Sequence, residues 1–253
     1  LLSSLHNSDV PVPSVVGLCT DARVNGADFY VTEFVEGHVL RDQDSASEVV
    51  AARQSGVGPE LIKALAAIHS VDLEATSLAD LGKREDYVAR QLRTWLRQFN
   101  AMTSRDLPLI ERVHDALSAQ VPEQREATLI HGDFRLDNMM LNKEKVIGLL
   151  DWELSTLAPP FIDLSYWALM LRFEKNWPIG GLGNLRNILK VSGIPTEEKI
   201  LETYLNKTAF DKPKYWNYLL AFNCFRFAGI LQGIAKRVVD GNNAGDNGFE
   251  VGE

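Results

Sequence analysis

Between Leu129 and Asp163 the chain sets His131, Asp133, Asn138 and Asp151 in the run LIHGDFRLDNMMLNKEKVIGLLDWELSTLAPPFID. Two apolar segments, Thr128 to Ile130 and Val146 to Leu150, have the length and composition of short strands. Both acidic motifs therefore fall at strand ends, where a turn can project side chains into a cleft. An Asp at the head of such a loop can take the proton of an attacking hydroxyl. An Asn five residues on, and an Asp beyond a further hairpin, offer hard oxygen donors of the kind Mg2+ requires. A cation held there neutralises phosphate oxygens, and because phosphoryl transfer depends mainly on positioning and electrostatics, few other groups are needed. The spacing points to phosphoryl transfer.

The pattern His-Gly-Asp-x-x-x-x-Asn followed by Asp-Trp-Glu resembles the aminoglycoside phosphotransferase and choline kinase-like superfamily. These are relatives of the protein kinases in which His-Gly-Asp stands for His-Arg-Asp, and Asp-Trp or Asp-Phe opens the metal-binding turn. The wording Leu-Leu-Asp-Trp-Glu-Leu-Ser-Thr-Leu is most similar to the branch found beside acyl-CoA dehydrogenase domains or as stand-alone bacterial proteins. The resemblance implies an α+β, protein-kinase-like two-lobe fold, with a small β-sheet N-lobe only partly present here and a large, mostly helical C-lobe. It divides the chain into residues 1–37, the remainder of the nucleotide-binding lobe with the hinge, and residues 38–253, the helical lobe with the catalytic loop and acceptor site.

Residue by residue, the resemblance makes Asp133 the catalytic base and Asn138 and Asp151 the Mg2+ ligands, with ATP or GTP as phosphoryl donor. It places adenine against backbone groups of Glu33, Phe34 and Val35, which read from residues alone could equally be an edge hairpin. His131 packs and hydrogen-bonds to hold the loop, and Asp163 braces it. Arg135 stands where protein kinases often carry a Lys that touches the transferring phosphate; it supplies the same charge or lies on the surface. Glu153 replaces the Gly of Asp-Phe-Gly and either reaches the metal through water or faces solvent. Two kinase-like features are not visible: a Gly-rich loop over the phosphates, and a strand Lys paired to a helix Glu.

The elements that must position these residues can be read along the chain. Its 253 residues suffice for one large domain or two small lobes. With 45% hydrophobic and 24% charged residues the composition is ordinary globular, and a net charge of -8 argues against nucleic acid as the main partner. Cys19 and Cys224 give neither a disulfide framework nor metal-ligand spacing, and a reducing cytoplasm is the expected compartment. The apolar run Tyr218 to Leu231 is broken by Asn223 and Arg226, so it reads as a buried helix and no membrane is expected.

Val15 to Cys19 and Phe29 to Val35 form a candidate hairpin around the Asn25-Gly26 turn signal. Gln43 to Gly58 reads as a loop, and Pro59 to His69 as a helix whose closing His caps or packs. Arg84 to Phe99 is amphipathic, with Val88, Leu92, Trp95 and Phe99 on one face. Its basic residues form a solvated face or dock a phosphate-bearing acceptor such as a hydroxyacyl-CoA thioester. Leu109 to Leu117 is a third helix, Leu164 to Phe173 a core helix with Asp163 as N-cap, and Thr196 caps another. Pro213 opens a long aromatic helix ending near Gly241, while Pro178 to Gly183 (PIGGLG) lacks the Lys-Ser/Thr of a P-loop.

The expectation is a Mg2+-dependent small-molecule kinase that transfers the γ-phosphate of ATP to a substrate hydroxyl. The alternative is a catalytically silent nucleotide-binding or scaffold module. Protein kinase activity is disfavoured, because Pro159-Pro160-Phe161 follows the metal turn with no Ala-Pro-Glu segment between. Neither the acceptor nor the oligomeric state can be read from the residues.

Overall fold

The computed structural model describes residues 1–39, 58–103, 107–143, 145–173 and 196–241. Of the candidate loops, residues 43–57 and 178–183 lie outside them, while Gly58, expected to end the first loop, begins a helix. The chain begins with a short helix, α1 (Leu2–Leu5), and a hairpin of β1 (Val15–Cys19) and β2 (Phe29–Thr32). One helical turn, α2 (Ala22–Asn25), fills the connection. Asp21 caps it through the Arg23 amide, and Gly26 closes it at φ 77°, where a side chain would be strained.

β2 stops at Thr32, short of the expected Val35. The Glu33 amide still donates to the Ser14 carbonyl at 2.9 Å, but the Ser14 amide donates to Glu33 Oε1 at 2.9 Å, so a side chain takes the place of the next ladder bond.

Three further strand pairings carry the loop region, all antiparallel. β3 (His38–Val39), β5 (Met139–Asn142) and β6 (Lys145–Leu149) form one sheet in the order β3-β5-β6, while β4 (Thr128–Ile130) pairs with β7 (Thr156–Ala158). β7 lies in a segment that its neighbouring prolines mark as a turn, and it forms because β4 offers it a complete ladder from Thr128 opposite Ala158 to Ile130 opposite Thr156.

The remaining described elements are helical. α3 (Gly58–His69) carries Pro59 in its first turn, where the missing amide costs no hydrogen bond. α4 (Tyr87–Met102) buries Val88, Leu92 and Phe99, the expected face, and α5 (Pro108–Ser118) follows. α6 (Phe161–Met170) is buried at every residue and is the axis of the core. α7 (Glu197–Lys207) is capped by Thr196 as expected, and α8 (Trp216–Val239) packs on both α4 and α6. α8 is long and apolar enough to cross a membrane by length and composition, but 61% of its apolar window is buried within the protein. Gly229 makes the α4–α8 approach possible, since a Cβ there would meet Trp95 Cε3 at 2.8 Å.

Candidate active site

β4 ends at Ile130 and delivers the loop His131-Gly132-Asp133; a 3-10 turn, Leu136–Asn138, leads out of it into β5. β6 ends at Leu149 and delivers Asp151, and the Leu150 amide donates to the Asn138 carbonyl at 2.9 Å. The two acidic turns are thus joined by backbone. Gly132 has φ 85°, and a Cβ on it would collide with the Leu154 carbonyl oxygen, so only glycine fits between the loop and the turn after Asp151.

Asp163 braces this loop, but not from the expected position. α6 starts at Phe161 with Pro160 as N-cap, so Asp163 sits inside its first turn and caps nothing there. Its carboxylate is spent on the loop instead: Oδ2 accepts the His131 amide at 2.7 Å and Oδ1 the Gly132 amide at 2.9 Å. Behind it, His69 Nε2 lies 3.4 Å from Asp163 Oδ2 and His69 Nδ1 lies 2.6 Å from the Tyr204 hydroxyl, all of them buried. Burial works to raise the Asp163 carboxyl, yet the hydrogen bonds from His69 and the His131 amide outweigh it and hold the pKa below the usual carboxylate value.

His131 is fully buried and its ring is held on several sides. Nε2 donates to the Leu150 carbonyl at 2.9 Å, Nδ1 accepts the Asp133 amide at 3.3 Å, and the Trp152 ring lies 4.7 Å away, centroid to centroid. That pattern places the single ring proton on Nε2. Burial also pushes the imidazole below its ordinary pKa against the pull of Asp163, which keeps the ring neutral and structural.

The Asp133 carboxylate is held at both oxygens. Oδ2 accepts Asn138 Nδ2 at 2.9 Å, and the same nitrogen reaches the Asp133 carbonyl at 3.0 Å. Oδ1 accepts the Tyr166 hydroxyl at 3.0 Å. Arg135 Nε lies 3.3 Å from Oδ2 as an ion pair without hydrogen-bond alignment, while Arg135 Nη2 pairs with Asp137 at 2.6 Å. Arg135 is thus neither a bare surface residue nor a free cation. Asp151 is exposed at φ 62°, a conformation uncommon outside glycine, and Glu153 beside it is exposed as well.

The donor set fits Mg2+. Among the described residues, Asn138 commits its nitrogen to Asp133 and its oxygen takes no hydrogen bond, and the Asp151 carboxylate has no ion pair. No group of three or more His, Cys, Asp or Glu side chains suited to a metal occurs among the described residues; the expected pair counts only one such side chain and relies on the Asn oxygen.

Three residues behind this site were not singled out by motif reading. Tyr166 stands one helical turn after Asp163, so both face the loop. Arg226 is buried, donates to the Gly132 carbonyl, and stacks over the rings of Trp95 at 5.8 Å and Tyr166 at 5.1 Å. Its interruption of an apolar run was the available signal. His69, read as a capping or packing residue, bonds the bracing carboxylate.

Of the hinge candidates, Glu33 commits its amide and carboxylate to Ser14. Phe34 is 92% exposed, and the backbones of Phe34 and Val35 make no hydrogen bond among the described residues. The expected helix start at Arg84 is not met: Arg84 precedes α4 and pairs with Glu74 at 2.9 Å, while on α4 Arg90 donates to the Lys83 carbonyl and Arg93 and Arg97 are exposed. A cavity of about 860 Å3 lies under Arg84 and is lined by none of the loop residues. Arg84 and Arg125 face Glu85, Asp86, Glu123 and Glu126 there, a balance unsuited to a phosphate-bearing thioester.

The architecture has solved counterparts. A candidate aminoglycoside phosphotransferase from Ralstonia eutropha is 34% identical with a TM-score of 0.80, covering 99% of this chain and 76% of that one. A thermostable mutant of aminoglycoside phosphotransferase APH(4)-Ia, in ternary complex with AMP-PNP and hygromycin B, has a TM-score of 0.60 at 14% identity, over 96% of this chain and 73% of that one; the likeness is one of fold. The chain therefore has the α+β, protein-kinase-like fold of the small-molecule phosphotransferases. A model of the phosphotransferase enzyme family matches residues 1–199, and the chain belongs to that family.

Over 243 residues the chain is 39% identical to acyl-CoA dehydrogenase family member 10 of Mus musculus, covering 95% of this chain and 22% of that protein. It spans between about a fifth and a third of the length of the curated relatives it matches. Their names agree with the branch indicated by Leu-Leu-Asp-Trp-Glu.

Proposed function

We propose that this chain transfers the terminal phosphoryl group of ATP or GTP to a hydroxyl on a small molecule, in a reaction that requires Mg2+. The observation that carries the reading is the joint fixation of Asp133 and Asn138, with Asp151 tied to them through the Leu150–Asn138 backbone bond. Asp133 orients the acceptor hydroxyl and takes its proton. Asn138 and Asp151 hold the cation, which when bound neutralises the phosphate oxygens. Arg135, within reach of Asp133, carries the charge that faces the transferring group. Backbone groups of Phe34 and Val35 receive the adenine, with residues 1–37 as the nucleotide side and 38–253 as the acceptor side.

Nucleotide use is supported by the AMP-PNP complex of the APH(4)-Ia counterpart. A small-molecule acceptor is supported by hygromycin B in the same complex, while for a hydroxyacyl thioester there is only the acyl-CoA in the relatives' names. The test is a phosphotransfer screen of the full-length protein with ATP and GTP against aminoglycosides, amino alcohols, sugars and hydroxyacyl thioesters. Transfer to one class identifies the acceptor. Mg-ATP-dependent thermal stabilisation with no transfer to any hydroxyl, water included, would favour a silent nucleotide-binding module instead.

A further inference from the structure

We propose that Tyr166, braced by Arg226, is a positioning residue that fixes the Asp133 carboxylate so that Oδ1 is the oxygen that receives the acceptor's proton. The inference rests on the phosphotransfer reading above. It starts from the unequal loading of the two carboxylate oxygens. Oδ2 accepts the Asn138 amide at 2.9 Å and lies 3.3 Å from the Arg135 guanidinium as an ion pair, whereas among the described residues Oδ1 accepts the Tyr166 hydroxyl alone at 3.0 Å. Each carboxylate oxygen offers two lone-pair directions. Among the described residues Oδ2 accepts one hydrogen bond and also faces the Arg135 cation, which disfavours a proton there, while Oδ1 meets only a neutral phenol and keeps a lone pair open.

Tyr166 is suited to that part. An ionised carboxylate only accepts, so the phenol must donate, and burial together with the nearby Asp133 charge pushes its pKa upward, so it stays protonated. α6, which carries it, is buried along its whole length and leaves the ring little freedom. The Arg226 guanidinium lies 5.1 Å from the centroid of that ring and donates to the carbonyl of Gly132, the residue immediately before Asp133. α6 and α8 thereby grip the loop at adjacent residues, one through the side chain of the base and the other through the backbone before it.

In the reaction, the acceptor O–H bond breaks and its proton passes to Asp133 Oδ1. The acceptor oxygen forms a bond to the terminal phosphorus as the bridging O–P bond breaks, and the nucleoside diphosphate leaves. Tyr166 keeps its proton throughout and sets only the angle at which the open lone pair meets the acceptor.

The test is Tyr166→Phe in the full-length protein, which retains the ring and its stacking but deletes the hydroxyl. Turnover is read as ATP hydrolysis, with water as acceptor, and with the hydroxyl acceptor found by screening. The expected result is a kcat lowered about ten- to a hundredfold, the scale of one hydrogen bond to a charged group, with nucleotide KM and thermal midpoint little changed. In an Asp133→Ala background the same substitution should have no further effect. Unchanged kcat in Tyr166→Phe, or an equal loss in the Asp133→Ala background, overturns the positioning role while leaving the phosphotransfer reading intact. A wild-type protein that transfers phosphoryl to neither water nor any hydroxyl overturns both.

Discussion

Asp163 Oδ2 accepts the His131 amide at 2.7 Å across 32 residues of sequence. With the Gly132 amide on its other oxygen, this one carboxylate fixes the entry to the loop that carries Asp133. Replacing Asp163 with Ala leaves two buried amides and His69 without their partner, and a loss of about 3–5 kcal/mol is expected in urea unfolding, as for one member of a buried ionic network. The Asp163 carboxyl is held below its ordinary value in the folded state, so its contribution is complete at neutral pH and is lost as pH falls through the carboxylate range and below. Unfolding measured from pH 7 to pH 3 should therefore show a steeper acid loss for wild type than for Asp163→Ala. Equal slopes would remove Asp163 from the acid response.

Gly132→Ala combines a positive φ with a collision at the Leu154 carbonyl. Such a change costs on the order of 1–3 kcal/mol, and relief of the clash must pull the turn after Asp151 away from the loop. Turnover should fall further than stability accounts for, measured as kcat at a temperature where the variant is fully folded. Wild-type kcat in a folded Gly132→Ala protein would show that the two turns need not touch.

Asp151 is exposed and strained at φ 62°, a conformation that asparagine tolerates well. Asp151→Asn should leave the thermal midpoint nearly unchanged while removing an anionic oxygen from the cation. The Mg2+ concentration for half-maximal turnover is expected to rise about tenfold or more. A titration that superimposes on wild type would exclude Asp151 as a ligand.

Legibility followed the physics of each element. Asp133, Asn138 and Asp151 stand out because the proposed phosphoryl transfer would demand such donors at loop positions between strands. β4 declares itself through its apolar run and α4 through its periodicity. Glu33 misled the end of β2, because its lock on Ser14 depends on a residue across the hairpin. β7 was hidden because a ladder supplied by β4, rather than local preference, makes it a strand. Asp163 bonds the His131 and Gly132 amides and does not cap α6, since the pattern marks the start of the apolar run rather than the helix end at Pro160. Tyr166, Arg226 and His69 each act through a partner distant in sequence, and one residue's identity carries no trace of that partner.

The most direct measurement is phosphoryl transfer from [γ-32P]ATP by full-length wild type and Asp133→Asn, each with Mg2+, at matched thermal stability. Asparagine keeps the shape of the carboxylate and removes its capacity to take a proton. The expected result is transfer by wild type and a kcat reduced about a hundred- to ten-thousandfold in Asp133→Asn. Equal rates for the two proteins would contradict the assignment of Asp133 as the base.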